Sequence, residues 1–227
     1  AGSFRKGAFG VCLSGGTFLL IESVMLLILE LFPKLLSPFA ARKICHSGTG
    51  LLMLTLDSET AAARAAVWLI GWSSVAMTWN LTKAVGVQPF RFGAEKDLGI
   101  TIYLLIVMYW FYQQMPAAAL SPMFFADPAG AVVGKFLSGL SGKGVRNPAW
   151  YGKKTIGGST AVFLVTWATL RIFFPPMPIS TLSMLSAAAV VAEAVGGQYD
   201  NLCLAAVVIG GYSLLSSKPV LSALSIT

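Results

Sequence analysis

Apolar residues in this chain come in runs of roughly 17 to 23, the length a helix needs to cross a bilayer. Inside lipid no water is available to the backbone, so a crossing segment must satisfy its own N–H and C=O groups. The runs lack the alternation of barrel strands, which leaves helices. Composition points the same way: 56% of the 227 residues are hydrophobic and only 11% are charged. Soluble domains carry about 25% charged residues. The expectation is an all-α protein, a polytopic transmembrane helical bundle of about seven to eight spans, built as a single domain over residues 1–227.

Hydropathy predicts spans at Val11–Phe32, Ile44–Leu56, Ala65–Leu81, Leu98–Met115, Ala117–Phe136, Gly157–Phe174, Ile179–Val195 and Leu202–Ser216. Pro116 divides the fourth from the fifth, and "PPMP" ends the sixth. The second is short enough for a re-entrant or interfacial helix. With eight crossings, one face collects eleven cations: Lys34, Arg42, Lys43, Lys83, Arg91, Lys96, Lys135, Lys143, Arg146, Lys153 and Lys154. The other face holds five: Arg5, Lys6, Arg64, Arg171 and Lys218. Basic loops stay on the side from which a chain is inserted, so the first face is expected to be cytoplasmic, or stromal in a plastid. The sequon Asn80-Leu81-Thr82 falls on that face and is expected to be unmodified.

The three cysteines, Cys12, Cys45 and Cys203, are far apart and have no C-x-x-C spacing, so neither a disulfide framework nor a zinc site is expected. A single histidine also argues against haem or multi-histidine metal sites. The opening AGSFRK has neither an initiator methionine nor the shape of a leader.

The remaining polar residues gather toward the basic face. In "ARKICHSG", Arg42, Lys43 and His46 are a helical turn apart and can share a face. Taken singly they read as interfacial anchors and a hydrogen-bonded structural histidine. The segment from Lys135 to Lys154, "KFLSGLSGKGVRNPAWYGKK", reads as a basic, glycine-rich loop without an acid, suited either to a polyphosphate or to anionic headgroups. Its "GKKT" is not a P-loop, because Asn147 stands where the earlier glycine belongs and no strand is expected before it. Asp127 sits in "PMFFADPAGAVVGK", eight residues and so about 12 Å from Lys135 along a helix. Glu193 lies near the end of the seventh span, and Asp200 and Asn201 follow in "GGQYDN". A carboxylate in a span costs at least about 2.5 kcal/mol and so usually marks a site. Oxygen ligands opposite a basic loop suit Mg²⁺ and a nucleotide; the plainer alternative is a set of intramembrane ion pairs. Glu22 and Glu30 in the first span read as packing or interfacial residues.

"RKICH", "RFGAEKDLGITIYLL", "ADPAGAVVGKFLSG", "GKKTIGGSTAVF" and "AEAVGGQYDN" follow one another as in the phytol kinase and dolichol kinase family. The chain most resembles the phytol kinase branch of photosynthetic organisms, over about residues 42–201. The family's R-K-x-x-H corresponds to Arg42, Lys43 and His46. Its D-P-x-A-x-x-x-G-K corresponds to Asp127, Pro128, Ala131, Gly134 and Lys135, with Ala126 where glycine is common. Its G-K-K-T-x-x-G-S corresponds to Gly152, Lys153, Lys154, Thr155, Gly158 and Ser159, and its acidic pair to Glu193 and Asp200, with Asn201. The family's G-P-L-Y-Y is only partly matched, by Gly99 and Tyr103.

The resemblance implies an enzyme that transfers a phosphoryl group from CTP, or another nucleoside triphosphate, to a membrane-embedded isoprenoid alcohol such as phytol. Mg²⁺ would be the cofactor, held by Asp127, Glu193, Asp200 and Asn201. Arg42, Lys43, Lys135, Lys153, Lys154, Gly158 and Ser159 would bind the nucleotide, and Asp127, His46 and Lys154 would be catalytic. The expected partners are the alcohol and the bilayer, not nucleic acid, in a plastid envelope or thylakoid membrane. Three alternatives stand beside it: a non-catalytic subunit of a larger membrane complex, a cytidylyltransferase, and a transporter, for which the expected inverted repeats are not found.

Overall fold

In a computed structural model, residues 10–215 are described. Among them the chain is helical apart from one two-stranded hairpin. The helices are α1 (Gly15–Leu31), α2 (Pro38–Met53), α3 (Ala61–Thr78), α4 (Leu98–Tyr112), α5 (Ser121–Gly139), α6 (Ile156–Phe173), α7 (Ile179–Gly196) and α8 (Asp200–Leu215). The strands β1 (Ala149–Tyr151) and β2 (Lys154–Thr155) pair antiparallel between α5 and α6. Every predicted run therefore holds a helix. Three stretches, Ala117–Gly139, Ile156–Phe173 and Ile179–Leu214, are long and apolar enough to cross a membrane, and Leu98–Tyr112 is a shorter apolar helix. Ser216 of the eighth run, and Arg5, Lys6 and Lys218 of the charge tally, lie outside the described residues.

Helix starts are set by short polar side chains that accept the otherwise unpaired N–H groups of the first turn. Ser14, Ser37, Thr60, Asp97 and Thr155 cap α1, α2, α3, α4 and α6, accepting from Thr17, Ala40, Ala63, Ile100 and Gly158 at 3.0–3.3 Å. These caps move two boundaries. Ser37 followed by Pro38 starts α2 well before Ile44, so Arg42, Lys43 and His46 stand inside the helix rather than at its approach. Lys135 likewise belongs to α5, which continues to Gly139, and not to a loop. A short strand does precede "GKKT", against expectation. Its lysines occupy a hairpin turn and β2, not a phosphate-cradling loop.

The chain divides into two compact units, with the boundary between Ala118 and Ala119. In the first, α1 packs against α2 and α3, and α3 against α4. Glu22 of α1 is 1% exposed and accepts a 2.6 Å hydrogen bond from the Thr49 hydroxyl of α2. Arg91 folds back on the end of α1. Its guanidinium donates to the carbonyls of Leu29, Glu30 and Leu36, and its backbone N–H donates to the Glu30 carboxylate. A cation in this place satisfies helix-end carbonyls and complements the negative end of the helix dipole.

In the second unit α5 lies against α6, α6 against α7, α7 against α8, and α8 returns to α5. The α5–α6 contact is backbone to backbone. A β-carbon on Gly158 would stand 2.9 Å from the Gly130 carbonyl oxygen, and one on Gly134 would stand 3.1 Å from the Thr155 hydroxyl. Gly130 and Gly134 are four apart and so share the α5 face. Asn147 fastens the same seam. Its amide donates to the Gly134 carbonyl and the Ser138 hydroxyl, both at 3.0 Å, and its carbonyl accepts from Gly157 N–H at 2.9 Å. Pro128 lies inside α5, where it cannot donate the usual bond to Phe124. Outward from this seam stand Leu164, Ile172, Met184, Val191 and Leu202, all exposed, as lipid-facing side chains are.

Gly158→Ala should lower stability by about 1–3 kcal/mol, because the new methyl meets a carbonyl that cannot move away. Gly139→Ala, where a β-carbon meets nothing within 4 Å, should be neutral. Melting of the two variants in detergent measures the difference.

Candidate metal and phosphate site

The second unit brings three carboxylates together from three helices: Asp127 from α5, Glu193 from α7 and Asp200 from the start of α8. One oxygen of each lies within 4.8 Å of the others. Glu193 is buried, and Asp127 and Asp200 are half-buried. The turn "GGQYDN" makes this meeting possible. Gly197 takes φ 58, a left-handed value that other side chains rarely adopt, and a 3-10 turn Gly197–Tyr199 leads straight into α8. Asp200 then opens α8, where a negative charge is favoured by the helix dipole, and accepts the Asn201 N–H at 2.9 Å.

Lys154 reaches into the cluster from β2. Its ammonium is paired with Glu193 Oε1 and lies 3.5 Å from Asp200 Oδ2. Burial alone would push the Lys154 ammonium down. The hydrogen bond that Lys154 donates to Glu193 and the charges of Glu193, Asp200 and Asp127 outweigh it and raise the Lys154 ammonium above its ordinary value. The sign follows directly. A raised lysine stabilises the fold fully below its unfolded value, and that contribution is lost only as pH climbs through the folded one. Lys154 therefore keeps its charge throughout the neutral range.

Chemically, three carboxylates present a hard, all-oxygen donor set. That set suits Mg²⁺ or a similar cation, and thiolate or imidazole chemistry has no part in it. Lys154 pairs with two of these carboxylates, and a divalent ion is a counterion that all three could share. The residues fit such an ion.

The residues assigned to the nucleotide separate in the structure. Lys135 and Lys153 are exposed on α5 and at the hairpin turn. Gly158 is buried in the α5–α6 seam, and its N–H is given to Thr155. The Gly157 N–H goes to Asn147, and the Ser159 hydroxyl accepts from the Trp150 indole at 2.8 Å. The start of α6 is thus capped by the chain's own side chains. Asn201 is buried next to Asp200. Arg42, Lys43 and His46 belong to the first unit. There Arg42 is paired with Asp97, the cap of α4, and the His46 ring lies 4.4 Å from that of Tyr103. Two residues of this region were not expected to matter: Asn147, as the staple of the seam, and Trp150, as the partner of Ser159. The Asn-Pro pair at Asn147 and Pro148 is the one sequence signal that marks a turn there.

No protein-family model matches this chain, and no curated protein or solved structure matches it either.

Lys154→Gln removes the cation between Glu193 and Asp200. It should cost roughly 3 kcal/mol, the low end for removing one partner of a buried pair. The loss should shrink as millimolar Mg²⁺ is added, because the freed carboxylates gain another counterion. Melting curves with and without Mg²⁺, compared with wild type, read both effects.

Proposed function

We propose that the chain is a kinase of membrane-embedded isoprenoid alcohols, a phytol or polyprenol kinase that takes its phosphoryl group from CTP or another nucleoside triphosphate. The observation that carries this reading is the meeting of Asp127, Glu193 and Asp200 around Lys154, on a hairpin that also exposes Lys153. Phosphoryl transfer asks for neutralised charge and aligned groups more than for covalent help from the protein. Asp127, Glu193 and Asp200 would hold the divalent ion, which when bound neutralises phosphate charge. Lys153 and Lys135 would attract the triphosphate. Lys154, on a flexible four-carbon stem, would exchange its carboxylate partners for phosphate oxygens.

The alcohol oxygen forms the new P–O bond as the bond between the terminal phosphorus and its bridging oxygen breaks. The nucleoside diphosphate leaves, and the hydroxyl proton passes to a carboxylate, which we assign to Asp127. That residue comes from α5, a helix apolar enough to border lipid, the side from which an isoprenoid would approach. The wider setting proposed is an eight-span bundle in a plastid membrane, with the basic loops toward the stroma or cytoplasm.

A second reading has its own support. Lys154 already pairs with Glu193, which is the arrangement a purely structural ion cluster would adopt, so a non-catalytic membrane subunit retaining the fold is the rival.

Purified protein incubated with labelled CTP, Mg²⁺ and phytol should yield phytyl phosphate; farnesol and dolichol test acceptor length. Asp127→Asn should lower kcat by at least about 100-fold, the scale of losing one charge-stabilising group, with melting unchanged. Nucleotide binding without product from any acceptor would favour the structural subunit.

A further inference from the structure

We infer that the β1–β2 hairpin is an anchor for anionic lipid headgroups, and that it fixes the depth at which the carboxylate cluster sits in the membrane. Trp150 and Tyr151, neighbours on β1, are 45% and 49% exposed. Large aromatic side chains with a polar edge, left open at the end of apolar helices, belong at the headgroup layer. There the ring is shielded from water and the polar edge is not. Trp150 is held in place by its hydrogen bond to Ser159, so the ring is presented by a fixed hairpin.

Charge supplies the partner. Lys143 and Arg146 are both exposed just before the same hairpin. No acidic residue occurs between Asp127 and Glu193 in the sequence. No acid near them in sequence neutralises these cations, and basic residues are drawn to an anionic leaflet. The occupant is accordingly an anionic headgroup embedded in a bilayer.

The consequence for the cluster is mechanical. Lys154 lies on β2, paired across the turn with Tyr151, and its ammonium is bound to Glu193 and Asp200. A hairpin seated among headgroups therefore holds the carboxylates at the level where the hydroxyl of an amphiphilic alcohol resides. The inference rests on the membrane reading of the chain and not on its being a kinase.

The test uses the full chain in nanodiscs of phosphatidylcholine, alone or mixed with phosphatidylglycerol, with bromine placed high or low on the acyl chains. Subtracting the Trp150→Phe signal isolates the Trp150 fluorescence. It should be quenched about twofold more by the shallow bromine than by the deep one. Titrating phosphatidylglycerol into mixed micelles should shift the Trp150 emission, and Lys143→Gln with Arg146→Gln should weaken that response by about tenfold or more without changing the melting temperature. Trp150 quenched only by aqueous iodide, while the other tryptophans respond to deep bromine, overturns the anchor and leaves the membrane reading standing. Loss of all bromolipid quenching overturns both. A response to inorganic phosphate equal to that to phosphatidylglycerol overturns the assignment to a lipid surface.

Discussion

The second unit is organised around one cation among three acids. Lys154 links β2 to the end of α7 and the start of α8, and the charge of Asp127 on α5 acts on the same ammonium. Four elements that are distant in sequence thus share one electrostatic centre. Burying an ionised Glu193 at 6% exposure is costly in so apolar a setting, and the Lys154 ammonium offsets that cost. The pairing in turn dictates where the hairpin lies, and the hairpin dictates how α5 hands the chain to α6.

Close helix packing makes that arrangement rigid. Gly130, Gly134 and Gly158 let the α5 and α6 backbones touch, and lipid gives no hydrophobic reward for association, so direct van der Waals contact and hydrogen bonds must supply it. Asn147 adds three hydrogen bonds across the same seam. The small residues after Asp127 are therefore occupied by a neighbouring helix. Of the two uses that their size permits, room for a ligand or room for a packed helix, the structure takes the second.

Helix existence was legible in the sequence because each apolar run is long relative to its boundaries. Helix ends were less so. Hydropathy averages across a cap, and the charges of Arg42, Lys43 and His46 masked the first turns of α2 that Ser37 and Pro38 announce. The hairpin was invisible, since strands of three and two residues carry no readable period. Asp127, Glu193 and Asp200 could be picked out singly as carboxylates in costly places. Their partner could not, because the pairing of Lys154 with Glu193 spans 39 residues and depends on how α6 and α7 pack. The same limit explains Gly158 and Ser159. Their types suit a phosphate loop, yet one is consumed by helix packing and the other by an indole.

The balance of charge says why such a cluster is more than a brace. A structural ion pair needs one acid for one base, and a second acid only raises the cost of burial. Here three carboxylates share a single ammonium, and two of them, Glu193 and Asp200, bond it directly. Crowding of acids raises the cost of ionising each, a cost that a proton or a further cation relieves. Lysine is also the cation best suited to give way. Its charge sits on a long, freely rotating stem, whereas an arginine fork would hold both acids in a fixed plane. One movable cation among three acids, beside a basic hairpin, is the arrangement on which the proposed metal-bound polyphosphate site rests.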